Sequence, residues 1–343
     1  MQVSVGVDSH KSSFSSGAVD ALGRALGVRE FSNDRKGFVA ACSWVTSLGT
    51  TRIGIEGAGR YGRALAKFLL AAGHDVVEVP ATLTAHERRR QRNQGKSDPV
   101  DAYAIARVVA RGEGLADPRR DSLCDDLKLL ADRRDHLVHN RTELANQSHQ
   151  DLGVIHPGYE RRICNLTSKK NLSAALMLVR GDRSVRADMV RARVADIRRL
   201  DAQIADLDRR IAATLAETGS TLTEMPGVGP LVAARILGEI GDPARVRSRA
   251  AFGVLTGTAP LEASSGTTTR HRVNRGGNRQ LNRALYVIAF TQARSHPEAQ
   301  AYLERKRAEG KTYREALRCL KRSLANVIYR RLMADLEVAR SAA

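Results

Sequence analysis

The 343-residue chain reads as an α/β N-terminal domain of ribonuclease-H-like strand order, followed by a long helical coiled-coil segment and a mainly α-helical C-terminal domain. Three observations predict this. The first 115 residues alternate strand-like and helix-like patterns, residues 121 to 215 carry apolar stripes at helical spacing, and helical patterning resumes after a stretch rich in Gly, Ser, Thr and Arg. The domains expected from these shifts span residues 1–115, 116–218 and 219–343.

Val3, Val5 and Val7 alternate with polar or small residues and lead to Asp8, as one strand. Two more extended stretches follow, near Phe14 to Val19 and Val28 to Phe31. Asn33 or Asp34 is placed to cap a helix carrying Phe38, Val39, Cys42, Val45 and Leu48 on one face. A strand (Arg52 to Ile55), a helix (Arg63 to Ala72), a strand (Asp75 to Val79) and a helix past Thr82 complete the series. Three strands followed by alternating helix and strand is the ribonuclease-H-like order, although order alone leaves a Rossmann-like sheet open.

In the middle segment, Leu123, Leu127, Leu130, Leu137 and Leu144 mark one long amphipathic helix. Val190, Val194, Ile197, Ile204, Leu207, Ile211 and Leu215 mark a second, and Gly153 to Leu172 between them is irregular. Charged flanks on both suit an antiparallel or intermolecular coiled coil, or else an ordinary helical hairpin packed on its own domain. Beyond Leu222, the hairpin-like Met225-Pro-Gly-Val-Gly-Pro230 precedes a loop from Gly257 to Gly277. Helices resume at Asn278 with breaks at Pro297 and Gly310.

Hydrophobic residues make up 42% of the chain, enough for sizeable cores, while 56 Lys and Arg against 37 acidic residues give a net charge of +19. That balance calls for a polyanionic partner. The stretch from Gly266 to Arg331 holds 16 basic and 4 acidic residues, a net +12. No apolar run approaches the roughly 18 residues of a spanning helix, and Met1 to Asp8 lacks the pattern of a signal peptide. No membrane partner is expected, and the protein reads as cytoplasmic and nucleoid-associated. Cys42, Cys124, Cys164 and Cys319 are far apart without a CxxC pair, a spacing that suggests neither a zinc site nor a disulfide framework.

Four acidic residues stand out by position. Asp8 ends the first strand and Glu56 follows the strand Ile53-Gly-Ile55. Asp98 and Asp101, in Lys96-Ser-Asp-Pro-Val-Asp-Ala102, fall on one side of a helical first turn with Pro99 at its start. Taken alone, that pair is a capping box. Beside Asp8 and Glu56 it becomes a set of carboxylates at the end of a sheet, where α/β folds bind ligands. Clustered carboxylates need cations, and oxygen ligands suit Mg²⁺ or Mn²⁺. Such ions can stabilise the attacking and leaving oxygens of a phosphoryl displacement.

Ala263-Ser-Ser-Gly266 leads into Arg270, Arg272, Arg275, Arg279 and Arg283. A Ser-Ser-Gly tripeptide by itself is a flexible loop. Its functional reading is a hydroxyl that attacks a DNA phosphorus to give a phosphoserine linkage, with arginines balancing the developing charge. Gly227 and Gly229 of the hairpin match glycines whose backbone N–H groups approach a phosphate.

These pieces in this order resemble the transposases of insertion-sequence family 110 over nearly the whole chain. The resemblance rests on Val7-Asp8-Ser-His-Lys11, Ile55-Glu56-Gly57, Lys96-Ser-Asp98-Pro-Val-Asp101-Ala102, the Pro-Gly-Val-Gly hairpin, and Ala259-Pro260 leading to Ser264-Ser265-Gly266 and Arg275-Gly-Gly-Asn278-Arg279. It implies a RuvC-like first domain with Asp8, Glu56, Asp98 and Asp101 as catalytic metal ligands. It also implies a C-terminal transposase domain whose nucleophile directly precedes the glycine, which selects Ser265 over Ser264. Members act on DNA as homo-oligomers in which one subunit's carboxylate domain meets another's serine domain, and some pair donor and target DNA through an element-encoded non-coding guide RNA. Lys11, Lys96, Gly227, Gly229, Arg270, Arg275 and Arg279 are then the expected nucleic-acid contacts. Two rivals remain: a RuvC-like metal-dependent nuclease hydrolysing DNA or RNA without a covalent intermediate, and a non-catalytic basic nucleic-acid-binding scaffold.

Overall fold

A computed structural model describes residues 2–59, 61–90, 98–115, 117–118, 122–262, 271–272, 274 and 276–341. The chain divides into two units, Met1–Asp121 and Ser122–Ala343.

The first unit is built on β1 (Val3–Ser9), β2 (Ser13–Val19), β3 (Ala25–Ser32), β4 (Thr50–Glu56) and β5 (Val76–Val79), in the spatial order β3-β2-β1-β4-β5. β1, β2 and β3 are antiparallel neighbours, whereas β4 and β5 run parallel to β1. This is the ribonuclease-H-like order. It removes the Rossmann-like alternative, whose sheet is parallel through β1 and its neighbours.

The helices of this unit are α1 (Arg35–Ser47), α2 (Arg63–Ala71), α3 (Ala81–Arg90) and α4 (Asp98–Arg111). Val3, Val5 and Val7 alternate onto one face of the sheet and bury there with Ile53, Ile55 and the residues of α1 and α2. Asp34 caps α1 by accepting from the Gly37 N–H. The buried stripe of α1 is Phe38, Ala41, Trp44 and Val45, while Val39 is 51% exposed. Val39 was expected on the buried face, but the stripe runs one step round the helix, centred on Trp44.

The opposite face of the sheet receives α4, and three glycines make room for it. Gly17 of β2, Gly6 of β1 and Gly54 of β4 are direct register neighbours, forming one row across the sheet. A Cβ on Gly6 would lie 2.2 Å from the Ala106 nitrogen and 2.3 Å from the Ala102 oxygen, and one on Gly54 would lie 2.1 Å from Val109 Cγ2. With Ala102 and Ala106 one helical turn apart, α4 rests on β1 backbone to backbone. The alternation that puts valines on one face of β1 thus puts Gly6 and Asp8 on the other.

The second unit opens with α5 (Leu123–Ile155), α6 (Lys169–Leu178) and α7 (Val185–Glu217). Arg134 pairs with Asp208, Arg141 with Asp201, and Arg193 with Asp151. Numbers rise on α5 as they fall on α7, so the two form an antiparallel hairpin within one chain. Ile197 is fully buried there with Leu152, Leu172 and Val194. α5 continues through Gly153 to Ile155, and α6 occupies part of the stretch expected to be irregular.

The hairpin leads into α8 (Pro230–Ile240), α9 (Arg249–Leu255), β6 (Leu261–Glu262), β7 (His271–Arg272), α10 (Arg279–Ser295), α11 (Pro297–Ala308) and α12 (Tyr313–Ser341). Their shared core includes Ile236, Phe252, Ile288 and Ile328, together with Leu127 and Ile211 of the hairpin. β6 and β7 pair antiparallel where only a loop was expected. Cross-strand pairing overrides the loop-like composition there. Among the described residues, no helix is long and apolar enough to cross a membrane, and all four cysteines are free thiols.

Candidate active site

Asp8 and Glu56 are set side by side by sheet register, as partners on the parallel strands β1 and β4. Neighbouring strands lie about 4.8 Å apart, so adjacent ends bring two carboxylates together whatever follows. Ser9 fastens the two ends by donating from its hydroxyl to the Glu56 carbonyl at 2.9 Å. The chain then turns tightly, with the His10 N–H donating to the Ser13 carbonyl at 2.9 Å. Asn33 holds the His10 carbonyl at 2.7 Å through its side-chain amide.

α4 delivers the other two acids. Asp98 and Asp101 stand in its first turn, where the helix dipole favours negative charge. His10 Nε2 lies 3.4 Å from Asp8 Oδ2 and 3.5 Å from Asp98 Oδ1. Asp8, His10 and Asp98 each offer one ligand atom within a span of 4.8 Å. Burial pushes the Asp8 carboxyl above its ordinary range; His10 opposes the rise, and the charges of Glu56, Asp101 and Asp98 add to it.

Asp101 is engaged differently from the capping box open to it in sequence. Both of its oxygens accept from Arg88 Nη1 of α3, at 2.9 and 3.0 Å, and the residue is buried. Arg88 thereby holds the buried Asp101 carboxyl in place at the start of α4. A cavity of about 390 Å³ opens beside Asp98, lined by Ser15, Arg29, Glu30 and Pro99.

Of the residues expected from sequence, Asp8 and Asp98 share one cluster, Glu56 adjoins Asp8 in register, and Asp101 stands in the first turn against Arg88. His10 and Arg88 were missed as site residues. His10 had a signal, two residues past Asp8 and hence on the same side of an extended chain. Arg88 had none, because it sits among three consecutive arginines. Lys11 and Arg279 are exposed, with no ion pair among the described residues. Gly227 adopts φ +78° in the turn before α8, and Gly229 caps that helix. Gln292 of α10 donates to the Pro226 carbonyl at 2.7 Å, holding the turn against the core. Lys96, Ser264, Ser265, Arg270 and Arg275 lie outside the described residues.

A family model described as a transposase matches residues 5–157, and one described as the transposase IS116/IS110/IS902 family matches residues 219–304. Between them the two cover more than half of the chain. The chain is 27% identical over 372 residues to the uncharacterised protein of insertion element IS116 from Streptomyces clavuligerus, covering 95% of this chain and 93% of that one. It is 26% identical over 377 residues to the corresponding protein of IS900 from Mycobacterium paratuberculosis, covering 94% of each. Among solved structures, RuvC of Thermus thermophilus with a Holliday junction substrate aligns at 15% identity and a TM-score of 0.28, over 34% of this chain and 99% of that chain.

Proposed function

We propose that this chain, which belongs to the IS116/IS110/IS902 family of transposases, cuts and rejoins DNA using a divalent metal at its strand-end carboxylates and Ser265 as nucleophile. The observation that carries the metal reading is the convergence of Asp8, His10 and Asp98 around one point, with Glu56 in register beside Asp8. Two carboxylates and an imidazole form a donor set that fits Mn²⁺ or Mg²⁺. When bound, such an ion neutralises charge on a phosphate oxygen. Asp8, Glu56, Asp98 and Asp101 would hold it, with His10 between Asp8 and Asp98 as a further donor and Arg88 fixing Asp101 in the first turn of α4.

In the same reading the Ser265 Oγ–phosphorus bond forms as the bond from phosphorus to a DNA oxygen breaks. The serine gives up its proton and the departing oxygen takes one up. Arginines of the basic C-terminal stretch neutralise the phosphates, and an element-encoded RNA guides the choice of DNA. Sequencing RNA that copurifies with the protein from cells carrying the element tests that last part. Recovery of no element-derived RNA would overturn it.

The acid cluster is expected to respond to charge removal in the free protein. Asp8→Asn should raise the Tm by about 3 °C, since ~1 kcal/mol moves a domain of this size by a few degrees. Mn²⁺ should raise the Tm of the wild-type protein and leave that of Asp8→Asn unmoved. Equal stabilisation of both by Mn²⁺ would place the ion elsewhere.

Affinity for DNA is expected to fall steeply with salt, because each neutralised phosphate releases counterions. Replacing Arg275 and Arg279 together by alanine should flatten the log–log slope for duplex DNA by about 1.8, at roughly 0.9 per contact. An unchanged slope in a fluorescence-anisotropy titration would move the binding surface away from these arginines.

A further inference from the structure

A second concave feature lies wholly within the second unit, apart from the carboxylates. It is a cavity of about 950 Å³ between the segment Gly257–Pro260 and helices α10, α11 and α12. Pro260 precedes Ser265 by five residues. Arg318, Lys321 and Arg322 of α12 all line it, at the spacing that puts side chains on one helical face.

None of the three has a carboxylate in salt-bridge contact among the described residues. Lys321 donates to the side-chain oxygen of Asn282 at 2.7 Å and lies 5.9 Å from the Tyr286 ring centre, so its partners are neutral. Burial, aided by nearby Arg318, lowers the Lys321 ammonium from its ordinary range. Arg322 is the more demanding group. Its Nη1 is buried with no hydrogen-bond partner. The guanidinium is seated against Gly253 of α9, where a Cβ would come within 1.4 Å of Nη1. Glu315, which also lines the cavity, is occupied by the Thr312 N–H and hydroxyl at 2.9 and 2.7 Å.

The buried, unpartnered Arg322 Nη1 beside the half-buried Lys321 is costly unless an anion completes the pair, and Arg318 adds an exposed cation on the same helical face. The cavity is far larger than a single phosphate needs, and Asn326 and Tyr302 also line it. Next to Lys321, Tyr286 and Phe290 stack at 6.0 Å between ring centres on α10 and are 47% and 41% exposed. Cations beside exposed aromatic rings are the arrangement that takes nucleotide strands. We propose that this cavity is a phosphodiester-binding site for a nucleic-acid strand, with Arg318, Lys321 and Arg322 gripping the phosphate. The proposal deepens the transposase reading and rests on it for the identity of the polyanion.

Gly253 supplies a test that leaves net charge alone. Gly253→Ala should expel the Arg322 guanidinium and raise the Kd for a single-stranded DNA of about 12 nucleotides by roughly tenfold, a length within the range such grooves cover. Arg322→Gln should raise the Kd similarly and lower the salt slope by about 0.7, the value for one single-strand contact. Arg209→Gln on α7 removes the same charge from an exposed position and should match wild type. Circular dichroism and Tm identify variants that keep their fold, and Lys321→Gln serves where Gly253→Ala does not. Wild-type affinity in folded Gly253→Ala and Arg322→Gln, or in folded Arg322→Gln and Lys321→Gln, would overturn the cavity alone. A wild-type protein that binds no DNA or RNA strand at low salt would overturn the transposase reading with it. Inorganic phosphate that competes as tightly as the strand would make this a small-anion site and also overturn the proposal.

Discussion

Ser265→Ala is expected to abolish cleavage and joining together, by about 10⁴-fold or more, the scale on which loss of an attacking hydroxyl is felt. The reason lies in what each competing chemistry requires. Hydrolysis by a metal site uses water, so it survives loss of an enzyme hydroxyl. A covalent exchange does not, because the serine oxygen itself replaces a DNA oxygen on phosphorus. Metal binding and DNA affinity should be retained, and Ser264→Ala should be milder. The decisive measurement is a protein–DNA adduct trapped on a nicked substrate and mapped by peptide mass spectrometry. An adduct on Ser264 would reassign the nucleophile. Normal strand exchange by Ser265→Ala, with no adduct in wild type, would make the enzyme a hydrolytic nuclease.

Asp8→Ala should remove strand exchange with comparable severity, while the Kd for DNA stays within about threefold of wild type. Several kcal/mol of charge neutralisation at a reacting phosphate correspond to about 10³-fold in rate. Asp8 is central to that neutralisation, since it adjoins Glu56 through the sheet and reaches Asp98 through His10. Loss of a single carboxylate also relieves repulsion, so the variant should fold well. His10→Ala tests the unexpected member: it should weaken Mn²⁺ binding in calorimetry more than Mg²⁺ binding, because imidazole suits the softer ion. Full activity of Asp8→Ala in Mg²⁺ would remove the metal reading altogether.

The acid positions were legible because they obey strand and helix rules. Asp8 and Glu56 end apolar strands, and Asp98 and Asp101 open a helix behind a proline. Contacts that depend on three-dimensional approach were not. Arg88 reaches Asp101 from a neighbouring helix, and Arg322 reaches Gly253 across 69 residues of chain. The buried face of α1 was misjudged at Val39 because several apolar residues compete for two adjacent stripes, and Phe31 with Trp44 decides between them by ring contact. The long helices were legible by period, but a stripe records only that something covers it. Here the cover is the other arm of the hairpin, with Ile197 enclosed by this chain's own residues.

The glycine row beneath α4 acts as a shim of zero thickness. Most helices stand off a sheet on a layer of side chains, and the gap can be retuned by exchanging one apolar residue for another. Here the gap is fixed by main-chain contact at Gly6, so no smaller residue exists to close it further and any larger one can only open it. Asp98 rides on that helix and Asp8 on that strand. A single methyl at Gly6 would therefore pry the two carboxylates apart without altering either one. The spacing of the acid cluster is thus written into residues that carry no functional group at all.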